Sequence, residues 1–118
     1  MLSNARGRVM LCDTITALDE SDAGAIVVTG SHGGSSAAHF ALAVPLRLVV
    51  FNDAGVGKDR AGIVALDRLQ ARGVAAATVS HQSARIGDAD ETWRHGVVSQ
   101  LNDAAREFGL RVGDEVSA

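Results

Sequence analysis

Four short, uninterrupted apolar runs, separated by longer helix-like stretches, are the feature that most constrains the fold of this chain. Each run is four to six residues long and lacks the in/out alternation of a half-exposed strand. Such runs are typical of strands that are buried on both faces, as in a parallel sheet covered by helices. The predicted strands are Val9–Cys12, Ala25–Thr29, Arg47–Phe51 and Val74–Val79.

The stretches between the strands carry helical periodicity and end at residues that stop helices. Gly73 and Gly109 supply left-handed stops, and Gly96 predicts a break or kink within the last helix. A short helix is also expected around Ile15–Asp19, between the first two strands. The three main predicted helices are Ser35–Ala43, Asp59–Arg72 and Ala89–Phe108.

Strand and helix in repeated alternation predict a three-layer α/β fold. We expect an open parallel sheet of about four strands with helices on both faces, wound like a flavodoxin or Rossmann domain. With 118 residues and 47% apolar side chains, residues 1–118 are expected to form a single domain. Only 3% of the residues are aromatic. A core of small aliphatic side chains often gains from association, so we also expect a homo-oligomer.

Composition excludes several classes of partner. The net charge of −3 gives no positive field for nucleic acid, and no apolar run reaches the length of about 18 residues that suggests a membrane span. Asn4, Arg6 and Arg8 interrupt the first ten residues, so a secretory signal is not expected. Cys12 is the only cysteine, which suits a reducing compartment. We therefore expect a cytoplasmic protein.

The loops that follow the strands hold the residues that could take part in binding or catalysis. All parallel strands release the chain at the same edge of the sheet, and ligands bind there, near the point where the strand order reverses. His, Lys, Arg and paired Asp gather in these loops, whereas the loops at the opposite edge are short and plain. The sequence therefore predicts one ligand or catalytic site at the carboxyl edge.

Lys58 stands out because it is the only lysine beside ten arginines. A compact ammonium whose pKa can be lowered by burial is something that a guanidinium cannot replace. Its glycine-rich loop matches no nucleotide motif: Asn52 and Asp59 stand where a P-loop needs Gly and Ser or Thr, and Arg60 stands where a dinucleotide loop needs Gly. We expect no organic cofactor.

Four residues are the candidates for proton transfer or attack on a carbonyl group. A histidine pKa near neutrality suits acid/base chemistry, and an aspartate that follows a strand without a capping role is a candidate base or a partner for the lysine. The lysine could hold an anion, act as a base or form a Schiff base. The candidate catalytic residues are His32, Asp53, Lys58 and His81.

A second set of residues is predicted to bind a substrate anion. Glycines before a helix let the backbone approach a phosphate or carboxylate, and an arginine can grip a carboxylate with two hydrogen bonds. The candidates are Gly30, Ser31, Gly33, Gly34, Ser35, Asn52, Gly57, Ser83 and Arg85.

Several of these residues also have plainer interpretations. Ser35 or Ser36 could cap the first helix and Asp88 the last, and Arg85 could pair with Asp88 on the surface. Cys12 could be a nucleophile, and the histidines and aspartates could form a metal set. The spacing matches no metal motif, and we predict no metal site.

These residues predict a small α/β enzyme, a lyase, isomerase or amide-type hydrolase, that acts on a small anionic carboxylate or phosphate metabolite. The chemistry would be acid/base or lysine-assisted. The alternative is a non-catalytic subunit that binds a metabolite or docks on a larger enzyme.

Overall fold

A computed structural model of the chain describes residues 7–117, in which five strands form one sheet. The strands are β1 (Val9–Cys12), β2 (Ile26–His32), β3 (Leu48–Asn52), β4 (Ala75–Val79) and β5 (Val98–Leu101). The first four are parallel, and β5 runs antiparallel to β4. Residues 1–6 and 118 lie outside the described residues. The expectation that the first ten residues carry no secretory signal falls largely on that part of the chain. The predicted single domain is likewise described only within residues 7–117.

Within the described residues, four α-helices lie between or after the strands. They are α1 (Ser35–Leu42), α2 (Val64–Gln70), α3 (Ala89–His95) and α4 (Asp103–Phe108). Two 3₁₀ turns, Ile15–Ala17 and Glu20–Asp22, occupy the connection from β1 to β2, where a short helix was expected. The predicted capping role of Asp88 is confirmed, because its Oδ1 accepts a hydrogen bond from Glu91 N at 2.9 Å. None of the helices within residues 7–117 has the length and apolarity needed to cross a bilayer.

Alternate residues of β2, β3 and β4 belong to two separate cores, one on each face of the sheet. Val27 and Val49 face the core that also contains residues of α1 and α2. Ile26 and Val28 face the core that contains Ala105 of α4. Right-handed crossovers that all step in one direction place their connections on the same face, which explains why α1 and α2 pack together. The chain then covers the second face with α3, which packs on β1 and β2, and with α4.

The predicted three-layer fold with a mostly parallel sheet is confirmed, although the sheet has five strands instead of about four. The order along the sheet is β1-β2-β3-β4-β5, the order along the chain. A consecutive order contains no reversal among the parallel strands. The crevice that the sequence analysis expected at such a reversal is therefore not part of this fold.

The prediction of a single helix over Ala89–Phe108 is wrong. The segment contains α3, then β5, then α4. Gly96 packs against the side chain of Val79 and adopts an extended φ/ψ, so the helix ends at His95. Asn102 then caps α4 by accepting from Ala105 N at 2.9 Å. A four-residue strand, too short to show a period of its own, is hidden between these two helix signals.

The predicted helix Asp59–Arg72 begins later than expected. Residues Lys58–Arg60 form a 3₁₀ turn, and the regular helix starts at Val64. Asp59 and Arg60 have φ values of 56° and 61°, in the left-handed region that an α-helix cannot contain. Backbone strain in this loop, which the sequence does not reveal, delays the helix.

Candidate functional site

Asp53, the residue after β3, is held in place through its backbone N–H and by three donors to its carboxylate. Its backbone N–H donates to Val79 O at 2.9 Å, and the residue is 5% exposed. Oδ1 accepts from Gly55 N at 2.8 Å and from His81 N at 3.1 Å, while Oδ2 accepts from Ser99 Oγ at 2.7 Å. The carboxylate is thus fixed in one orientation at the carboxyl edge of the sheet.

The same contacts keep Asp53 ionised. Burial raises the pKa of its carboxyl group, but the hydrogen bonds from Ser99, Gly55 and His81, with the charge of the His81 ring, outweigh burial. The pKa of Asp53 therefore lies below its ordinary value. A carboxylate with a lowered pKa is a poor proton acceptor near neutrality but a good partner for a histidine.

His81 lies directly over this carboxylate. Its Nδ1 is 3.4 Å from Asp53 Oδ1, and its side chain is 51% exposed. The carboxylate therefore faces Nδ1, and Nε2 lies on the other side of the ring. The ring also rests on Gly55, where an added Cβ would come within 3.5 Å of Cε1.

Ser99 and Thr78 extend the network into the sheet. Thr78 Oγ1 is 3.0 Å from Ser99 Oγ. Because the single Ser99 hydroxyl proton is donated to Asp53, Thr78 is the donor in this second bond. The result is a network that converges on Asp53: buried Thr78 donates to Ser99 and Ser99 donates to one carboxylate oxygen, while half-exposed His81 contacts the other oxygen.

Sequence reasoning missed Ser99, because it placed this residue on a helix. The signal that could have found it is local. Gly96, followed by two β-branched residues and then by the Asn102 cap, marks a break long enough for a short strand. Once β5 pairs with β4, Ser99 reaches Asp53.

Lys58 lies apart from this network. It is exposed in the 3₁₀ turn that follows Gly57. The partners of the Asp53 carboxylate are Ser99, Gly55 and His81, and Lys58 is not among them. The structure therefore brings Asp53 together with His81 and leaves Lys58 on an open loop.

The loop between Asp53 and α2 is strained. Non-glycine residues with positive φ are uncommon, and a β-branched one is an outlier. Such strain persists only where the surroundings hold it, often near functional sites. Gly55 and Gly57 share this region at φ 74° and 73°. The strained residues are Ala54 (φ 51°), Val56 (φ 69°), Asp59 (φ 56°) and Arg60 (φ 61°).

Asn52, a predicted anion-binding residue, uses its amide to join two loops. Nδ2 donates to Ala84 O at 2.9 Å, and Oδ1 accepts from Ala54 N at 2.8 Å. The side chain is fully buried. Asn52 therefore sets the positions of the loops that carry Asp53 and His81.

His32 ends β2 beside the start of α1. It is the sheet neighbour of Asn52, and its side chain is exposed. Its ring folds over Gly34, where an added Cβ would lie 2.6 Å from Nε2. No hydrogen bond or ion pair within residues 7–117 joins His32 to Asp53 or His81. The two histidines thus occupy one edge but not one network.

The predicted glycine-rich cradle is partly used within the fold. Gly30 O accepts from Gly87 N at 2.7 Å, and Ser31 Oγ accepts from Ile15 N at 2.9 Å. Gly33 N donates to Asn52 O at 3.1 Å, and Gly34 N donates to His32 O at 2.9 Å. Ser35 begins α1 and is exposed, with Gly34 at the capping position.

The loop after β4 contributes two more of the predicted residues. Ser83 Oγ donates to Ser80 O at 2.8 Å and accepts from Val97 N at 2.9 Å, so its hydroxyl braces the loop. Arg85 is exposed and forms no ion pair with Asp88 within the described chain. Its guanidinium lies at the protein surface.

Other chemistries have less support in the described part of the chain. Residues 7–117 contain no group of three or more His, Cys, Asp or Glu side chains that could hold a metal ion, and they enclose no pocket. Cys12 is buried. Burial, with smaller effects from Asp22 and Asp13, raises the pKa of its thiol despite a hydrogen bond with Thr29. A thiol of this kind is a poor nucleophile.

Comparison with known proteins finds no family model, no curated protein and no solved structure that matches this chain. The structure by itself therefore defines the class: a three-layer α/β domain with an aspartate–histidine pair at the carboxyl edge of its sheet.

Proposed function

We propose that this protein is a small α/β enzyme in which His81, oriented by Asp53, transfers protons on a small anionic carboxylate or phosphate metabolite. One observation carries the proposal. A buried, ionised carboxylate lies 3.4 Å from Nδ1 of a half-exposed histidine, and this contact leaves Nε2 for a substrate.

The chemistry of the pair follows from its protonation. Asp53 holds the proton on Nδ1, so Nε2 can accept a proton from a substrate or from water and later return it. Asp53 also stabilises the imidazolium that forms in between. Lyases, isomerases and amide hydrolases all need such a group, and the proposal includes no organic cofactor.

Cationic side chains on loops at the same edge would hold the anionic part of the substrate. Lys58 follows the loop after β3, and Arg85 lies in the loop after β4. Both side chains are exposed. Lys58 acts as an anion ligand in this proposal, because its ammonium lies outside the Asp53 network. A reducing, cytoplasmic location remains part of the proposal.

A second candidate function is a non-catalytic subunit that binds an anionic metabolite. The exposure of Lys58 and Arg85 favours it, since exposed cationic side chains can bind an anion without a buried site. The buried Asp53 favours the enzyme, because a surface that only binds anions gains nothing from a buried negative charge.

The test is a thermal-shift screen of the full chain with small dicarboxylates, keto acids and phosphates, followed by NMR detection of product for each compound that stabilises the protein. We expect one compound to raise the melting temperature and to be converted. His81→Gln should lower kcat/KM for that compound by about 10²-fold or more. His95→Gln is the matched control, because His95 is an exposed histidine at the end of α3.

Binding without conversion would favour the second candidate. Conversion that continues unchanged in His81→Gln would overturn the role of the pair. A Lys58→Gln variant separates the two contributions, since loss of a cationic anion ligand raises KM while loss of proton transfer lowers kcat.

A further inference from the structure

The two outer edges of the sheet differ in whether other residues of the chain cover them. At β5, residues that follow α4 return and bind the outer side of the strand. Val98 N donates to Asp114 O at 2.8 Å, Gly113 N donates to Val98 O at 2.8 Å, and Val116 N donates to Gly96 O at 3.0 Å. The start of this edge, at Val98, is therefore covered by the chain itself.

The edge at β1 has no such cover among residues 7–117. β1 is the outermost strand, and its only sheet partner is β2. Its four residues, Val9–Cys12, are all apolar, and Leu11 is 39% exposed. Proteins usually protect an edge strand with lysine, proline or a bulge, because its free backbone groups pair readily with another strand. The sequence of β1 contains none of these protections.

The hydrogen-bond pattern shows which backbone groups point outwards. Ile26 N donates to Arg8 O at 2.8 Å, so the backbone of Arg8 faces β2. In a parallel ladder the direction alternates along the strand. The backbone of Met10 and Cys12 therefore also faces β2, whereas the N–H and C=O groups of Val9 and Leu11 point away from the sheet.

We propose that a second copy of this chain pairs with this edge, β1 against the partner's β1, antiparallel and about a two-fold axis at Met10. Val9 then lies opposite the partner's Leu11, and each such pair exchanges both of its outward N–H···O=C bonds. A two-fold axis makes the contact self-complementary, because each copy offers the same donors and acceptors.

Charge at the ends of the strand favours the antiparallel direction. Arg8 precedes β1 and Asp13 follows it, and both are exposed. Each also holds a contact within its own chain: Arg8 donates to Ser21 O at 2.8 Å, and Asp13 Oδ1 accepts from Ala89 N at 3.0 Å. Antiparallel pairing brings each Arg8 to the end of the strand that carries the partner's Asp13. Parallel pairing would instead place like charges side by side, which is destabilising.

The two-fold symmetry of the contact limits this assembly to two copies, because each copy uses its β1 edge once. Pairing at β1 joins the two sheets into one, whose outer strands are the β5 strands of the two copies. Each of these outer strands is covered at Val98 by residues 113–114 of its own chain. The contact at β1 lies at a lateral edge of the sheet, away from the ends of β3 and β4 that carry Asp53 and His81. The dimer therefore does not depend on the proposed function.

Sedimentation of the full chain over a concentration series, from low micromolar to near millimolar, tests the proposal. We expect a monomer–dimer equilibrium, and we expect Leu11→Lys to weaken it by about tenfold or more, since it places two added charges next to the axis. Val112→Lys is the matched control, because Val112 is an apolar residue that is 63% exposed away from β1. It should leave the dimer unchanged.

Amide hydrogen exchange on the wild-type chain gives a second measurement that does not rely on a variant. Exchange at Val9 and Leu11 should slow as the dimer forms with rising concentration. A monomer at every concentration, a dimer that Leu11→Lys leaves intact, or growth beyond two copies would each overturn the proposal. Slow exchange at these amides in a monomer would do so too, because the edge would then be covered by the chain itself.

Discussion

His32 and His81 both lie at strand ends on the same edge of the sheet, but their surroundings differ. His81 faces a buried carboxylate at 3.4 Å, and its own backbone N–H donates to that carboxylate at 3.1 Å. His32 folds over Gly34 and has no carboxylate partner within the described residues. Position at the carboxyl edge therefore does not distinguish a candidate catalytic histidine. What distinguishes His81 from His32 is a buried carboxylate fixed against its ring.

The largest effect on the difference between the two histidines is expected from a change in the backbone that packs against Asp53. A Cβ at Gly62 would overlap Asp53 O, a backbone atom, so Gly62→Ala must move the loop after β3. We expect a loss of about 3 kcal/mol in the free energy of unfolding, measured with urea. Gly34→Ala is the control. Its Cβ would come too close only to the ring of His32, which is exposed and can rotate away, and it would lie at an ordinary contact distance of 3.5 Å from Ala61 O. Equal losses in both variants would contradict this comparison.

Removal of one hydrogen bond to Asp53 should have a smaller effect. In Ser99→Ala the carboxylate loses the donor at 2.7 Å. We expect the free energy of unfolding to fall by about 1–2 kcal/mol and the pKa of Asp53 to rise, as followed by carboxyl NMR. Ser83→Ala removes a hydroxyl that braces the neighbouring loop without touching Asp53. A shift in the Asp53 titration in that control would show that the effect is not specific to the bond.

The smallest effect is expected from pH. Because the folded-state pKa of Asp53 lies below its unfolded value, its contribution to stability is complete above the unfolded pKa and is lost as the pH falls through the folded pKa. Burial opposes the hydrogen bonds, which keeps the net effect small. Urea unfolding between neutral pH and values below about 4 should show this loss, and Asp53→Asn should reduce the slope. A slope identical to wild type would contradict the assignment to Asp53.

Much of the fold could be predicted because burial of parallel strands leaves a direct mark on the sequence. The runs at Val9–Cys12 and Val74–Val79 match β1 and β4 to within one residue. The strand β5 could not be predicted in the same way. It lies antiparallel at the side of the sheet, only partly buried, and its four residues carry no clear alternation.

The candidate site was predicted in its residue types but not in its pairing. Asp53 and His81 were both named from their places after strands, whereas their contact depends on β3 and β4 being neighbours. Asn52 and Ser83 were interpreted as possible anion ligands, and in the structure their polar atoms bind other parts of the protein. The roles of Lys58 and Arg85 in binding remain predictions.

The sequence by itself determined the layered α/β architecture and the edge at which titratable residues gather, because hydrophobic periodicity and the direction of parallel strands are local properties. Only the tertiary structure decided the strand order, the contribution of Ser99 from β5 and the choice of His81 over His32 as the partner of Asp53. Each of these depends on which strands lie side by side, and that is set by packing between segments far apart in the chain.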